Sequence, residues 1–148
     1  MTKVYLDTCC LNRPFDDQTQ MRIRLEAEAV LAILARIENG DWVWIGSEVL
    51  KDEIEQTPDT QKLGRVKLLS GFIQESIEIG EKEINRAMKL QKEGFQVFDS
   101  LHIACAESAQ VDVFLSTDDG LLKLAKRMSK RLNVRIENPL VWVEEMIR

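Results

Sequence analysis

Apolar residues recur along this chain with two periods, and the alternation between them lays out the fold. Val4-Tyr5-Leu6 is a short apolar run that ends at Asp7, as a buried strand does. Asn12-Arg13-Pro14-Phe15-Asp16-Asp17-Gln18 then reads as a loop. Ala27, Val30, Leu34 and Ile37 then return at helical spacing. Asn39-Gly40 closes that helix, because glycine takes the left-handed conformation at little cost. Trp42-Val43-Trp44-Ile45 is aromatic and β-branched, which predicts a second strand. Ser47 is placed to cap a helix that stops before Pro58. Helices are also predicted over 62–72, 81–92, 97–109 and 121–128, strands or extended segments over 76–79, 111–116 and 133–136, and Pro139 opens a last helix.

Strands therefore alternate with helices from end to end, and that succession gives a parallel sheet covered on both faces. The expected fold class is α/β: one domain over 1–148, with a parallel sheet of four to five strands flanked by helices. A chain of 148 residues that is 45% hydrophobic can fill one core. The opening residues lack an h-region and a cleavage site, and no apolar run is long enough to cross a bilayer, so the expected location is cytoplasmic and away from membrane. Three cysteines, Cys9, Cys10 and Cys105, have no disulfide-framework spacing and form no CxxC pair. They read as small apolar residues of a reducing compartment.

The acids change the picture. A parallel α/β sheet binds ligands beyond the carboxyl ends of its strands. Two strands here run into acid at that end: Tyr5-Leu6-Asp7, and Phe114-Leu115-Ser116-Thr117-Asp118-Asp119. Either aspartate alone is explained as a helix cap or turn former; two on neighbouring strands point to a site. Asp99 opens an apolar helix that holds no Lys or Arg, so a buried carboxylate there needs a partner from outside the helix. Glu53 follows Val49 by four residues and Leu50 by three, which puts it on the apolar stripe of its helix, whereas Glu48, Asp52 and Glu55 face solvent.

Four converging carboxylates need cations. Their oxygen-only character suits Mg²⁺ or Mn²⁺ rather than zinc or copper. Such ions act on phosphates by activating water and steadying the charge of an in-line displacement. A Ser-His-Asp triad is not readable around the single histidine, His102, and no GxGxxG, GxxxxGK[ST] or HExxH motif occurs. The net charge of −5 runs against phosphate binding unless the acids are concentrated in one cation-neutralised pocket.

At these four positions the chain resembles the PIN-domain nucleases, including toxins of the VapC type. Val4-Tyr5-Leu6-Asp7-Thr8 is similar to the family's opening strand and first acid. Ser47 to Glu53 is similar to its second segment, Phe98-Asp99-Ser100-Leu101-His102-Ile103-Ala104 to its third, and Leu115-Ser116-Thr117-Asp118-Asp119-Gly120-Leu121-Leu122 to its fourth. Asp118 is preferred to Asp119 because Leu121 then falls where the family keeps an apolar residue. The resemblance implies a parallel sheet between helices, a Mg²⁺ or Mn²⁺ centre on Asp7, Glu53, Asp99 and Asp118, and hydrolysis of RNA phosphodiesters. For toxin members it further implies homodimers and a small antitoxin partner.

Other residues carry less weight. His102, one helical turn after Asp99, faces the site or makes a local hydrogen bond. Thr8, Asn12, Ser116 and Thr117 are candidates to orient the carboxylates. Arg13 either holds a phosphate or pairs with Asp16 or Asp17. Lys123, Lys126, Arg127, Lys130 and Arg131 form the one basic concentration, an RNA track or a solvated helix face. Two other functions compete with the nuclease. One is a degenerate PIN domain that only binds RNA or protein. The other is a phosphatase of the haloacid-dehalogenase kind, whose Asp-x-Asp is not supplied by Asp7-Thr8-Cys9.

Overall fold

The computed structural model describes residues 1–147, and among them five strands form one sheet in which every pairing is parallel. They are β1 (Thr2–Leu6), β2 (Trp42–Ser47), β3 (Glu75–Ile77), β4 (Val113–Leu115) and β5 (Ile136–Glu137), in the spatial order β3-β2-β1-β4-β5. Eight α-helices are described around it: α1 (Thr8–Asn12), α2 (Met21–Glu38), α3 (Glu48–Glu55), α4 (Thr60–Ser70), α5 (Glu81–Lys92), α6 (Val97–Ser108), α7 (Asp119–Arg127) and α8 (Pro139–Met146). No described helix is long and apolar enough to cross a membrane.

Residue alternation in β1 sorts the molecule into two cores. Val4 and Leu6 point to one face and join Trp44, Leu115, Ile33 of α2 and Trp142 of α8. Tyr5 points to the other and joins Ile45, Phe114, Leu90 of α5, Ile103 of α6 and Leu121 of α7. Trp42 and Trp44 both pack, as their shared strand face predicts. Each such side chain, fully buried, contributes roughly 1.5–3 kcal/mol.

This architecture matches the expected α/β class, with adjustments at the edges. The loop expected over 12–18 holds only for 16–18: Thr8–Asn12 is helical and Arg13–Phe15 is a 3₁₀ turn. A helix this short has no room for an apolar period, so only its Asp7 cap marked it. Asp59 caps α4 and starts it at Thr60, and Asp118 caps α7 and starts it at Asp119. The last strand lies later than 133–136, at Ile136–Glu137. Phe114 N–H still bonds to Arg135 O at 2.8 Å, so the earlier residues approach the sheet without joining a full ladder.

β1 is also where the strand order changes direction. The chain passes from β1 outward to β2 and β3, then returns to the other side for β4 and β5. A crevice opens at such a switch point, beyond the carboxyl ends of the two diverging strands. Leu6 pairs with Leu115 at that end, and Asp7 N–H reaches back to Leu115 O at 3.2 Å.

Candidate metal centre

Asp7 emerges from β1 and caps α1. Its Oδ1 accepts the Cys10 N–H at 3.0 Å, and it is almost fully buried. Burial pushes its carboxyl above the ordinary value; hydrogen bonds from Ser116 and Cys10 oppose that shift without cancelling it. Asp118 plays the same part on α7: its Oδ1 accepts Leu121 N–H at 3.1 Å, and its own N–H donates to Ser116 Oγ at 3.1 Å. Ser116 thereby links the two aspartates. Asp118 itself is exposed.

Glu53 leaves the outer surface of α3, as its helical phase predicts, while Glu48, Asp52 and Glu55 remain exposed. Its Oε1 accepts the Thr8 hydroxyl and lies 3.0 Å from His102 Nε2. Burial would raise this carboxyl, but the hydrogen bonds from His102 and Thr8 outweigh burial and hold it below the ordinary value. Its second oxygen, Oε2, has no partner among the described residues.

Asp99 sits in the first turn of α6. It is half-buried rather than fully buried, because its neighbours Val97 and Phe98 are exposed and only the rest of the helix is enclosed. No described hydrogen bond or ion pair engages it. Desolvation, then the charges of Asp7 and Asp118, push its carboxyl up to about 6, with Glu53 adding to the rise and His102 opposing it. The Cys9 thiol senses the same field: desolvation raises it first, then Asp7, Asp118, Glu53 and Asp99 in turn. All the predicted acids therefore act on one locality. A cavity of 520 Å³ opens beside it, lined by Thr8, Cys9, Asn12, Glu53 and Phe98 among others.

Among the described residues, no three His, Cys, Asp or Glu groups are drawn together closely enough to hold an ion as they stand. The donor set nevertheless suits a hard cation. It is all carboxylate, and Glu53 and Asp118 each have one oxygen anchored by the protein and the other without a described partner. No described hydrogen bond or ion pair engages Asp99, and the charges that act on it most are those of Asp7, Asp118, His102 and Glu53.

No family model matches the sequence, and no curated protein matches it. Solved structures do match its fold. One is VapBC2 from Rickettsia felis bound to a DNA fragment from their promoter, with a TM-score of 0.59, 13% identity, and coverage of 93% of this chain and 98% of that one. Another is VapBC-1 from nontypeable Haemophilus influenzae, at 2.2 Å resolution, with a TM-score of 0.59, 16% identity and the same coverage, 93% and 98%. The chain has a VapC-like PIN-domain fold.

Within this PIN-domain fold, Arg13 is not a phosphate ligand in waiting. Its guanidinium is held by Asp16 at 3.1 Å and by Glu26 at 3.1 Å. Glu26 is almost completely buried and also meets Arg22 at 3.4 Å and Asn138 Nδ2 at 2.6 Å. Its signal was its phase: Glu26 is four residues before Val30 and seven before Ile33, on the apolar stripe of α2. The basic residues also lie apart from the acids. Lys123, Lys126 and Arg135 line a separate groove of 800 Å³ between α7 and β5, and Arg131 is paired with Glu93 at 2.6 Å.

Proposed function

We propose that the protein is a Mg²⁺- or Mn²⁺-dependent ribonuclease that hydrolyses RNA phosphodiester bonds, and that it is the toxin of a toxin–antitoxin pair. The observation that carries the catalytic part is Asp99: a half-buried carboxyl that no described hydrogen bond or ion pair engages, raised first by desolvation and then by the charges of Asp7 and Asp118. Such a locality repels itself until a cation enters. The antitoxin part is supported by the fold neighbours, both of which are VapBC structures.

Asp7, Glu53, Asp99 and Asp118 would hold the ion, which when bound activates water and stabilises charge on the phosphoryl oxygens. The chain's own contribution is order. Backbone N–H groups fix Asp7 and Asp118 at helix starts, Ser116 joins them, and Thr8 with His102 fixes one oxygen of Glu53. Asp99, engaged by no described hydrogen bond, is left to move onto the ion.

The test is cleavage of a single-stranded RNA with Mn²⁺, with Mg²⁺ and with excess EDTA. Cleavage should need the metal and leave a 5′-phosphate, because water rather than the ribose 2′-hydroxyl attacks. Full activity in EDTA, or a 2′,3′-cyclic phosphate end, defeats the reading. RNA binding without cleavage in either metal would identify a degenerate PIN domain instead. Co-purification with the product of a small reading frame beside the gene tests the antitoxin part.

A further inference from the structure

A buried polar chain crosses the core and both starts and ends on α3. Ser47, the cap of α3, accepts Leu50 N–H on its Oγ at 3.1 Å. The same Oγ is 2.6 Å from the Tyr5 hydroxyl, and that hydroxyl is 2.6 Å from His102 Nδ1. His102 Nε2 then meets Glu53 Oε1 at 3.0 Å. Ser47, Tyr5 and His102 are all buried, and the Tyr5 ring is clamped by stacking on Phe114 with centroids 5.1 Å apart.

The direction of the chain follows from counting protons. The Tyr5 hydroxyl has one proton to donate and lies within hydrogen-bond distance of both Ser47 Oγ and His102 Nδ1. If it donated to Ser47, His102 Nδ1 would have to donate to Tyr5. A ring carrying its only proton on Nδ1 would then turn a bare Nε2 lone pair toward the Glu53 carboxylate, which is repulsive. The favourable order is Ser47 donating to Tyr5, Tyr5 to Nδ1, and Nε2–H to Glu53 Oε1.

We propose that Tyr5 and His102 are positioning residues for Glu53: their chain delivers one N–H to Oε1, leaving Oε2 as the single oxygen available to a divalent cation. The inference rests on Glu53 being a ligand of that cation. It has a consequence for ion choice. A carboxylate with one oxygen committed to two donors binds through the other alone, which suits octahedral Mg²⁺ or Mn²⁺ and works against Ca²⁺, whose larger shell readily takes carboxylates through both oxygens.

Calorimetric titration of the full chain with MnCl₂ and with CaCl₂ tests this on wild type, Glu53→Gln, His102→Leu, His102→Gln and Tyr5→Phe. Glu53→Gln and His102→Leu should each weaken Mn²⁺ binding by about tenfold or more, the usual consequence of losing a ligand's orienting partner. Ca²⁺ binding should weaken less, so the preference for Mn²⁺ narrows. His102→Gln, which returns an amide N–H near the position of Nε2, should recover most of the loss, and Tyr5→Phe should fall between. A folded His102→Leu that binds Mn²⁺ as wild type does, while Glu53→Gln does not, overturns the positioning role and leaves the metal reading standing. A Glu53→Gln variant with wild-type Mn²⁺ affinity overturns both. Should His102→Leu fail to fold, imidazole ¹⁵N spectra of the wild type decide, because His102 is the only histidine and yields two unambiguous signals. A proton on Nε2, a bare Nδ1, and an Nε2 signal that moves on Mg²⁺ saturation support the proposal. A proton on Nδ1, or a ring that does not respond to bound Mg²⁺, overturns it.

Discussion

Glu26 and Asp99 are both carboxylates withdrawn from water in the same small domain, and their surroundings are opposite. Glu26 has Arg13 at 3.1 Å, Arg22 at 3.4 Å and the Asn138 amide at 2.6 Å, each supplied by a different segment of the chain. Asp99 is engaged by no described hydrogen bond or ion pair, and after desolvation the charges that act on it most are those of other acids and of His102. A buried charge must be compensated. Glu26 is compensated from within, so its role ends with stability: it ties the turn after α1 and the cap of α8 to α2. Asp99 is not, and a compensation missing from the protein is what a binding site looks like before its ligand arrives. The type of residue is uninformative here; the company it keeps separates structure from function.

The sharpest way to break that comparison is to exchange the consequences. Asp7→Asn, Asp99→Asn and Asp118→Asn should each lower RNA turnover by ~10²-fold or more, since each disturbs the charge that stabilises the transition state. Glu26→Ala should do the reverse, costing about 1–3 kcal/mol of stability because it leaves the half-buried Arg13 guanidinium and the Asn138 amide without their buried acceptor. Urea melts alongside single-turnover cleavage measure both. A Glu26→Ala protein that is fully stable, or aspartate variants that cleave normally, would erase the distinction.

Metal separates the two regions next. A divalent ion that binds the folded cluster and hardly binds the unfolded chain should add ~2.7 kcal/mol at a hundredfold excess over its dissociation constant. Wild type and Glu26→Ala should gain this equally in a thermal-shift titration with MnCl₂, and Asp118→Asn should lose most of it. Equal gains in wild type and Asp118→Asn would mean that these carboxylates hold no ion.

The same contrast shows what could be read in advance. The parallel sheet and the strand-end aspartates were legible because alternation and helical spacing survive in the sequence as patterns. Glu53 was legible by phase, and the same test applied to α2 singles out Glu26, which occupies the stripe of Val30 and Ile33. What phase cannot show is the partner. Arg13 and Asn138 lie 13 and 112 residues from Glu26, and only the tertiary fold brings them there. The Tyr5–His102–Glu53 chain was hidden for the same reason: its members come from β1, α6 and α3. α1 was missed because a helix of 5 residues leaves no period to detect.

Acid titration probes the uncompensated side alone. In EDTA, Asp99 is pushed from an ordinary 3.8 up to about 6, chiefly by desolvation, and Asp7 is raised for the same leading reason. A raised carboxyl means that the folded state binds protons the unfolded state has released. Its stability contribution is therefore complete below about 3.8 and is lost as pH rises through about 6. The melting temperature of the apo protein should fall across that window, and Asp99→Asn should flatten the fall. A flat profile in wild type would show that neither desolvation nor the other acids raise Asp99.

The smallest expected effect concerns where RNA would lie under the proposed function, given that the acids cannot attract it. The chain is net acidic, yet Lys126, Arg127 and Lys130 are exposed, and no described ion pair engages them. Lys126 lines the groove between α7 and β5, and α7 begins at Asp119, directly after the candidate ligand Asp118. A strand of RNA whose scissile phosphate sits at Asp118 is thus offered positive charge one helix length away. Arg131 is left out of the test because Glu93 already neutralises it. Replacing Lys126, Arg127 and Lys130 by Ala should raise KM several-fold at low salt. It should also reduce the slope of log KM against log salt concentration by up to about 2, since each lost contact to a single-stranded phosphate removes about 0.7 of a released counterion. The signature is salt-dependence, which separates a phosphate track from a helix face that only keeps the protein dissolved. A triple variant with the wild-type slope and KM would put the RNA path elsewhere, with the cavity beside Thr8, Cys9 and Phe98 as the next place to look.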